Sequence, residues 1–218
     1  ISGATQDVFV YTIVDGDGDL STTTLTINLT DAGLIAPADS DVTVNENALD
    51  TNALPDGNDL AVGTVTGSLP GSADETDATN QLNASGGFGA LTYTAATIVG
   101  TYGTIQIAAD GSYIYTLTDN HLNGTANNGV QTISGLENFT YTVTDANLNT
   151  TTGTITVNII DDVPTAVADS GNANEGALLT VAVGAGILSN DTAGADGASI
   201  AGVRASGGNT TNAVTDGN

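Results

Sequence analysis

The sequence predicts an all-β protein of antiparallel sheets packed face to face. Three observations predict it: the composition, short alternating apolar runs, and a long internal repeat. The 218 residues include 28 Gly and a single Lys or Arg. Thr, Asn, Val and Ala are abundant while Glu, Lys and Arg are scarce, a balance that disfavours helix and favours strands joined by tight turns. With 39% hydrophobic residues, the chain has material for one or two cores of ordinary size.

The strand signals are short. "DVFVYTIV" places Phe9, Tyr11 and Ile13 on one face, and "TLTINLT" does the same with Leu25, Ile27 and Leu29. "IQIAADGSYIYTLT" reads as a hairpin turning at Asp110-Gly111. Each run has one apolar face and one rich in Thr or Asn, as expected where one side meets a core and the other meets water.

The repeat is the strongest signal. "DVFVYTIVDGDGDLSTTTLTINLTD" aligns without a gap on "ENFTYTVTDANLNTTTGTITVNIID" at a constant offset of 130 residues. Phe9 falls on Phe139, Tyr11 on Tyr141, Asp15 on Asp145 and Asn28 on Asn158. "ADSDVTVNENAL" matches "ADSGNANEGAL" with one residue dropped, which brings Glu46 onto Glu175. A unit of this length has the size of an immunoglobulin-like sandwich and is far longer than a solenoid coil. The period divides the chain into the last strands of a preceding unit (1–31), one complete unit (32–161), and a linker with the first part of a following unit (162–218). The end pieces lack a counterpart of the "GTIQIAADGSYIYTLT" hairpin. The expectation is a piece of a longer tandem array, or ends completed by neighbouring repeats or identical subunits.

Charge narrows the function. The net charge is −24, with 25 acidic residues against Arg204 alone, so the carboxylates must be neutralised by counterions, a divalent cation or salt. Nucleic acid is excluded as a partner because phosphate binding needs Lys and Arg. With no cysteine there are neither disulfides nor thiolate metal sites. No apolar run is long enough to span a membrane and no leader opens the chain, so membrane insertion is not expected and any export signal is expected outside these residues.

Three segments, "ENFTYTVTDANLNTTTGTITVNIIDDVPTAVADS", "GTIQIAADGSYIYTLTDN" and "GILSNDTAGADGAS", resemble the cadherin-like extender repeats, or VCBS repeats, of giant RTX adhesins exported by type I secretion. The resemblance implies tandem Ig-like, cadherin-like β-sandwich domains with calcium at their junctions, stiffening an array that projects a binding tip from the bacterial cell surface. Two departures stand out. The family's Asp-x-Asp-Gly-Asp turn is matched by Asp15, Asp17 and Asp19, whereas the second copy has Asp145, Asn147 and Asn149. The linker "IIDDVPTAVADS" fits the family, while its earlier equivalent has Ala32 in place of the second Asp.

Alternate carboxylates leaving a strand project to one side, where three can converge on an ion. An EF-hand is ruled out, since the twelfth position from Asp15 is Thr26 and not Glu. The RTX nonapeptide is absent, and a solvated Gly-Asp turn is the alternative. The acidic turn, the exit strand and the "NENAL" or "NEGAL" Glu recur in both units, so each junction is expected to draw ligands from two domains. For the first, the candidates are Asp15, Asp17, Asp31, Asp39 and Glu46, with Asp19 a further candidate in the acidic turn; for the second, Asp145, Asn147, Asp161, Asp162, Asp169 and Glu175. Asp191 and Asp196 belong to a further site by the resemblance and are equally ordinary turn residues. Calcium affinity typical of extracellular modules, on the order of 0.1 to 1 mM, would suffice.

Elsewhere the plain readings are preferred. Asp74, Glu75 and Asp77 read as a solvated loop, His121 as a surface or hairpin histidine, and Arg204 as the partner of a local Asp. The Asn28 and Asn138 sequons arise readily in an Asn- and Thr-rich chain. No nucleophile has a base and no carboxylate pair sits in an apolar context, so an enzyme is not expected. The expected function is a calcium-stiffened spacer of an extracellular adhesin in cell adhesion and biofilm formation. The alternatives are a self-assembling filament or surface-layer subunit, or a glycan-binding module using residues such as Tyr93 and Tyr102, for which six Tyr and three Phe are few.

Overall fold

The computed structural model describes residues 5–29, 33–49, 66–122, 129–176, 178–182 and 184–202. In chain order the described strands are β1 (Thr5–Val14), β2 (Leu20–Leu29), β3 (Leu34–Ile35), β4 (Asp39–Asn45), β5 (Thr76–Gln81) and β6 (Ser85–Gly86). They continue with β7 (Thr92–Tyr93), β8 (Ala96–Val99), β9 (Gly103–Ile107), β10 (Ser112–Leu117), β11 (Thr132–Thr144) and β12 (Thr150–Ile160). One short 3-10 turn, Glu46–Ala48, follows β4.

Two four-stranded sheets face each other, ordered β4-β12-β11-β7 and β5-β10-β9-β8. Period-2 alternation aims one face of every strand into the space between them. Val42 and Val44, Ile105 and Ile107, Tyr113, Tyr115 and Leu117, Phe139, Tyr141 and Val143, and Ile155, Val157 and Ile159 form one core. Each such burial is worth about 1.5–3 kcal/mol. The Tyr115 and Phe139 rings meet across the layers at 5.9 Å, and Tyr93 meets Tyr141 at 6.0 Å. Gly153 lies opposite Tyr141 in the ladder, and a Cβ there would fall 2.5 Å from that ring, so only glycine lets the ring lie flat on the strand. The chain is all-β and Ig-like in architecture.

The predicted hairpin forms as β9 and β10, turning through Asp110 and Gly111, where φ is +87°. β4 pairs with β12 in parallel, from Ile155↔Asp39 to Ile160↔Asn45, and every other ladder among the described strands is antiparallel. That pairing joins residues more than 100 positions apart and is invisible to local periodicity.

The internal repeat is reproduced in register. β1 pairs with β2 from Asp7↔Ile27 to Val14↔Leu20, and β11 with β12 from Glu137↔Val157 to Thr144↔Thr150, pair for pair at the same offset. The surroundings differ. Phe139, Tyr141 and Ile155 are buried, whereas their counterparts Phe9, Tyr11 and Leu25 are about half exposed. The opposite face of β1 and β2 carries exposed Val8, Val10, Val14 and Leu20, where the second copy has Asn138, Thr140, Thr144 and Thr150.

Candidate functional site

Both acidic turns share one backbone design. Asp15 N–H donates to the Asp19 carbonyl at 3.1 Å, and Asp145 N–H donates to that of Asn149 at 3.0 Å. The leading carboxylate then accepts backbone N–H groups, as an Asx turn does. In the first turn Asp15 Oδ1 accepts from Asp17 (3.3 Å), Gly18 (3.0 Å) and Asp19 (2.8 Å). These bonds, led by a side-chain hydrogen bond with Asp17, hold the Asp15 carboxyl below the usual carboxylate range. Asp15, Asp17 and Asp19 each offer an oxygen within 4.8 Å of the others, all exposed. Two oxygens sharing a calcium ion at about 2.4 Å can stand no farther apart than about 4.8 Å, so this spacing admits one ion.

The second turn is closed. Asp145 Oδ1 accepts from the Asn147 and Asn149 N–H groups at 2.9 Å each, and Oδ2 from Phe88 N–H (3.0 Å) and Asn149 Nδ2 (2.9 Å). A carboxylate has about four lone-pair sites, and four donors occupy them. The same donors, the Asn149 side chain first, lower the Asp145 pKa. Leu148 sits at φ +64° where the first copy has Gly18 at φ +105°.

Strand length separates residues that sequence reasoning grouped. Asp145 and Asn147 precede β12 while Asp161 and Asp162 follow it, and ten residue steps of strand span about 33 Å. Asp39 and Glu46 likewise stand at opposite ends of β4. Within the first group Asp39 is thus parted from Glu46, and within the second Asp145 and Asn147 from Asp161 and Asp162. Asp31 and Arg204 lie outside the described residues. Asp169 and Glu175 are exposed on the segment after the sandwich.

A different set meets where β4 and β12 end. Glu46 is fully buried; its Oε1 accepts from His121 N–H at 2.5 Å and its Oε2 from Asp162 N–H at 3.5 Å. Burial pushes the Glu46 carboxyl up to about 7, with the Asp196 and Asp161 charges adding to it. Asp161 is raised by burial first, then by Asp196 and Asp162, with His121 opposing. Asp162 accepts four hydrogen bonds: from Ser68 N–H (2.7 Å), Ser68 Oγ (2.5 Å), Val163 N–H (2.9 Å) and Ala195 N–H (3.0 Å). Asn120 Nδ2 donates to Asp196 at 2.8 Å. Val167 N–H donates to Asp191 at 2.7 Å, and Thr165 and Thr192 exchange backbone bonds at 2.9 Å. Carboxylates from the sandwich and from the following segment thus share one joint with no Lys or Arg among its described residues.

Sequence reasoning misses Ser68, Asn120 and Ala195, because no local motif marks them. It reads "SADETDATN" as a solvated loop; instead Thr76–Gln81 forms β5 and Glu75 is buried beside it. His121 is half-buried with its ring 5.1 Å from that of Tyr102. Its Nδ1 has no hydrogen-bond partner among the described residues. Glu137 is also buried, accepting from the Thr101 and Tyr102 N–H groups and from Tyr115 Oη.

Residues 75–158 match the family model of bacterial Ig domains. The match covers the second sheet and most of the first, without β4. Such domains are generally extracellular or surface-associated repeat modules and typically non-enzymatic. Neither a curated protein nor a solved structure matches the chain. Among the described residues, no helix is long and apolar enough to cross a membrane.

Proposed function

We propose that the chain is a calcium-stiffened extender segment of a large secreted or surface-anchored bacterial adhesin, serving cell adhesion and biofilm formation. The observation that carries this reading is the joint at Asp162, where Glu46 accepts from Asp162 N–H, Asp162 accepts from Ala195 N–H, and the Asp161 and Asp196 charges lie near enough to raise the Glu46 carboxyl. Like charges gathered there repel, and a divalent cation accepted by carboxylate and amide oxygens would offset that repulsion while joining the two parts. The exposed Asp15, Asp17 and Asp19 turn is the second candidate position for such an ion.

The test is thermal melting with calcium against chelator, followed by small-angle scattering for length. At a calcium concentration about a hundredfold above Kd, the melting temperature should rise by roughly 5 °C or more and the maximum dimension should lengthen. Neither quantity responding to calcium would sink the proposal.

A second reading, a self-assembling filament or surface-layer subunit, is favoured by one observation. The half-exposed Phe9, Tyr11 and Leu25 match residues that the complete sandwich buries, so a neighbouring chain could cover them. Calcium-dependent polymers seen by electron microscopy would favour this reading over a passive spacer.

A further inference from the structure

We infer that Asp162 is an anionic latch that docks the following segment onto the sandwich without any cation, so that the joint has two layers of which only one answers to calcium. The inference uses the extender reading solely to explain why a stiff joint matters; its hydrogen bonds stand without it.

The carboxylate of Asp162 is buried and saturated. Both oxygens are in use, Oδ1 by Ser68 Oγ and Val163 N–H, Oδ2 by the N–H groups of Ser68 and Ala195. These donors come from three separate stretches of chain: the loop before β5, the linker itself, and the segment that follows. An ion at Asp162 would have to displace one of them, because about four lone-pair sites are all that a carboxylate has. Hydrogen bonds to a buried charge are the strong kind, and these replace the cation that a chain with one basic residue cannot supply.

Packing fixes what is docked. Ala195 is 0% exposed and belongs to the sandwich core cluster, so the segment inserts a methyl group as a plug. Gly194 holds φ +76° with its Cα against the Val163–Pro164 peptide, where a Cβ would stand 3.2 Å from the Val163 carbonyl carbon. The Thr165–Thr192 bridge and the Asn120–Asp196 bond flank the plug. Glu46 and the Asp161 and Asp196 charges around it form the other layer; their oxygens are not gathered within 4.8 Å as those of Asp15, Asp17 and Asp19 are, so a cation there would have to draw them together.

Hydrogen–deuterium exchange of the whole chain, read by mass spectrometry with calcium and with chelator, tests this. In the wild type the 190–197 peptide should be protected in both conditions. Asp162→Asn should raise its exchange roughly 10- to 100-fold in both, because the amide presents NH2 to N–H donors, while β12 peptides keep their protection. Ser68→Ala should give a smaller rise at the same peptide. If Asp162→Asn also exposes β12, Ser68→Ala decides: faster exchange confined to 190–197 supports the latch, and unchanged exchange overturns it. Wild-type protection that vanishes in chelator overturns it as well. A wild type whose melting and length ignore calcium defeats the calcium layer and leaves the latch standing, so the two failures are distinguishable.

Discussion

Glu46 and Asp161 leave adjacent parallel strands one residue beyond the last paired positions, Asn45 and Ile160. The pairing of β4 with β12 therefore brings a carboxylate from the start of the unit to its end. Only a parallel pairing does so, because an antiparallel one would send Glu46 to the far side.

That position makes stability depend on pH. The folded-state pKa of Glu46 lies near 7, above its ordinary 4.5, so the folded protein keeps a proton that the unfolded chain releases. Its contribution is fully present below pH 4.5 and is lost as pH rises to about 7. In chelator, urea melts between those values should show a loss of about 1–3 kcal/mol, allowing for solvent screening. Glu46→Gln should flatten the slope, and a slope unchanged by that substitution would contradict the assignment.

Calcium should invert the trend. An ion near Glu46 and Asp161 favours their charged forms, so the stabilisation it confers should grow from pH 5 to pH 7. Melting temperatures at paired calcium and chelator conditions across that range would reveal it, and a calcium effect independent of pH would place the ion elsewhere.

The first turn offers an independent measurement. Asp17→Asn with Asp19→Asn keeps oxygen ligands while removing two charges, and should weaken calcium binding at that turn by roughly tenfold. Titration calorimetry should show one class of site weakened while others persist. Equal isotherms for both proteins would argue for a solvated turn.

The two copies of the turn also predict a stabilising change. Leu148 is 81% exposed and holds a left-handed backbone that its counterpart Gly18 adopts without cost. Leu148→Gly should raise unfolding free energy by about 0.5–1 kcal/mol, read from the urea midpoint. A destabilised variant would show that Leu148 packs against something the exposed position does not suggest.

In the core, Tyr115 Oη donates to Glu137 Oε2 at 2.5 Å, and burial together with that carboxylate raises the phenol pKa, so the proton stays. Tyr115→Phe should cost about 2 kcal/mol by leaving a buried carboxylate one donor short. Replacing Glu137 by Gln in the same background should recover part of it, and a neutral Tyr115→Phe would deny the bond any weight.

What could be read from the sequence was local or repeated. The β1–β2 and β11–β12 hairpins, the Asp110–Gly111 turn and the alternating core residues follow from periodicity, turn chemistry and an offset of 130. The β4–β12 pairing does not, since no pattern in "DSDVTVN" says whether its neighbour runs with it or against it. Place in the repeat does not show the strand length that parts Asp145 from Asp161. Ser68 and Ala195 had nothing to announce them, because a backbone N–H and a methyl group carry no signature of their own.

The parallel pair has a mechanical side. The sandwich is entered along β4 and left along β12, so a tug on the two ends of this unit drags those neighbours past each other lengthwise. The ladder from Ile155↔Asp39 to Ile160↔Asn45 is then strained in shear, with its bonds resisting together and not unzipping one at a time. The seam between β4 and β12 is then the part of the sandwich built to resist a pull along the chain.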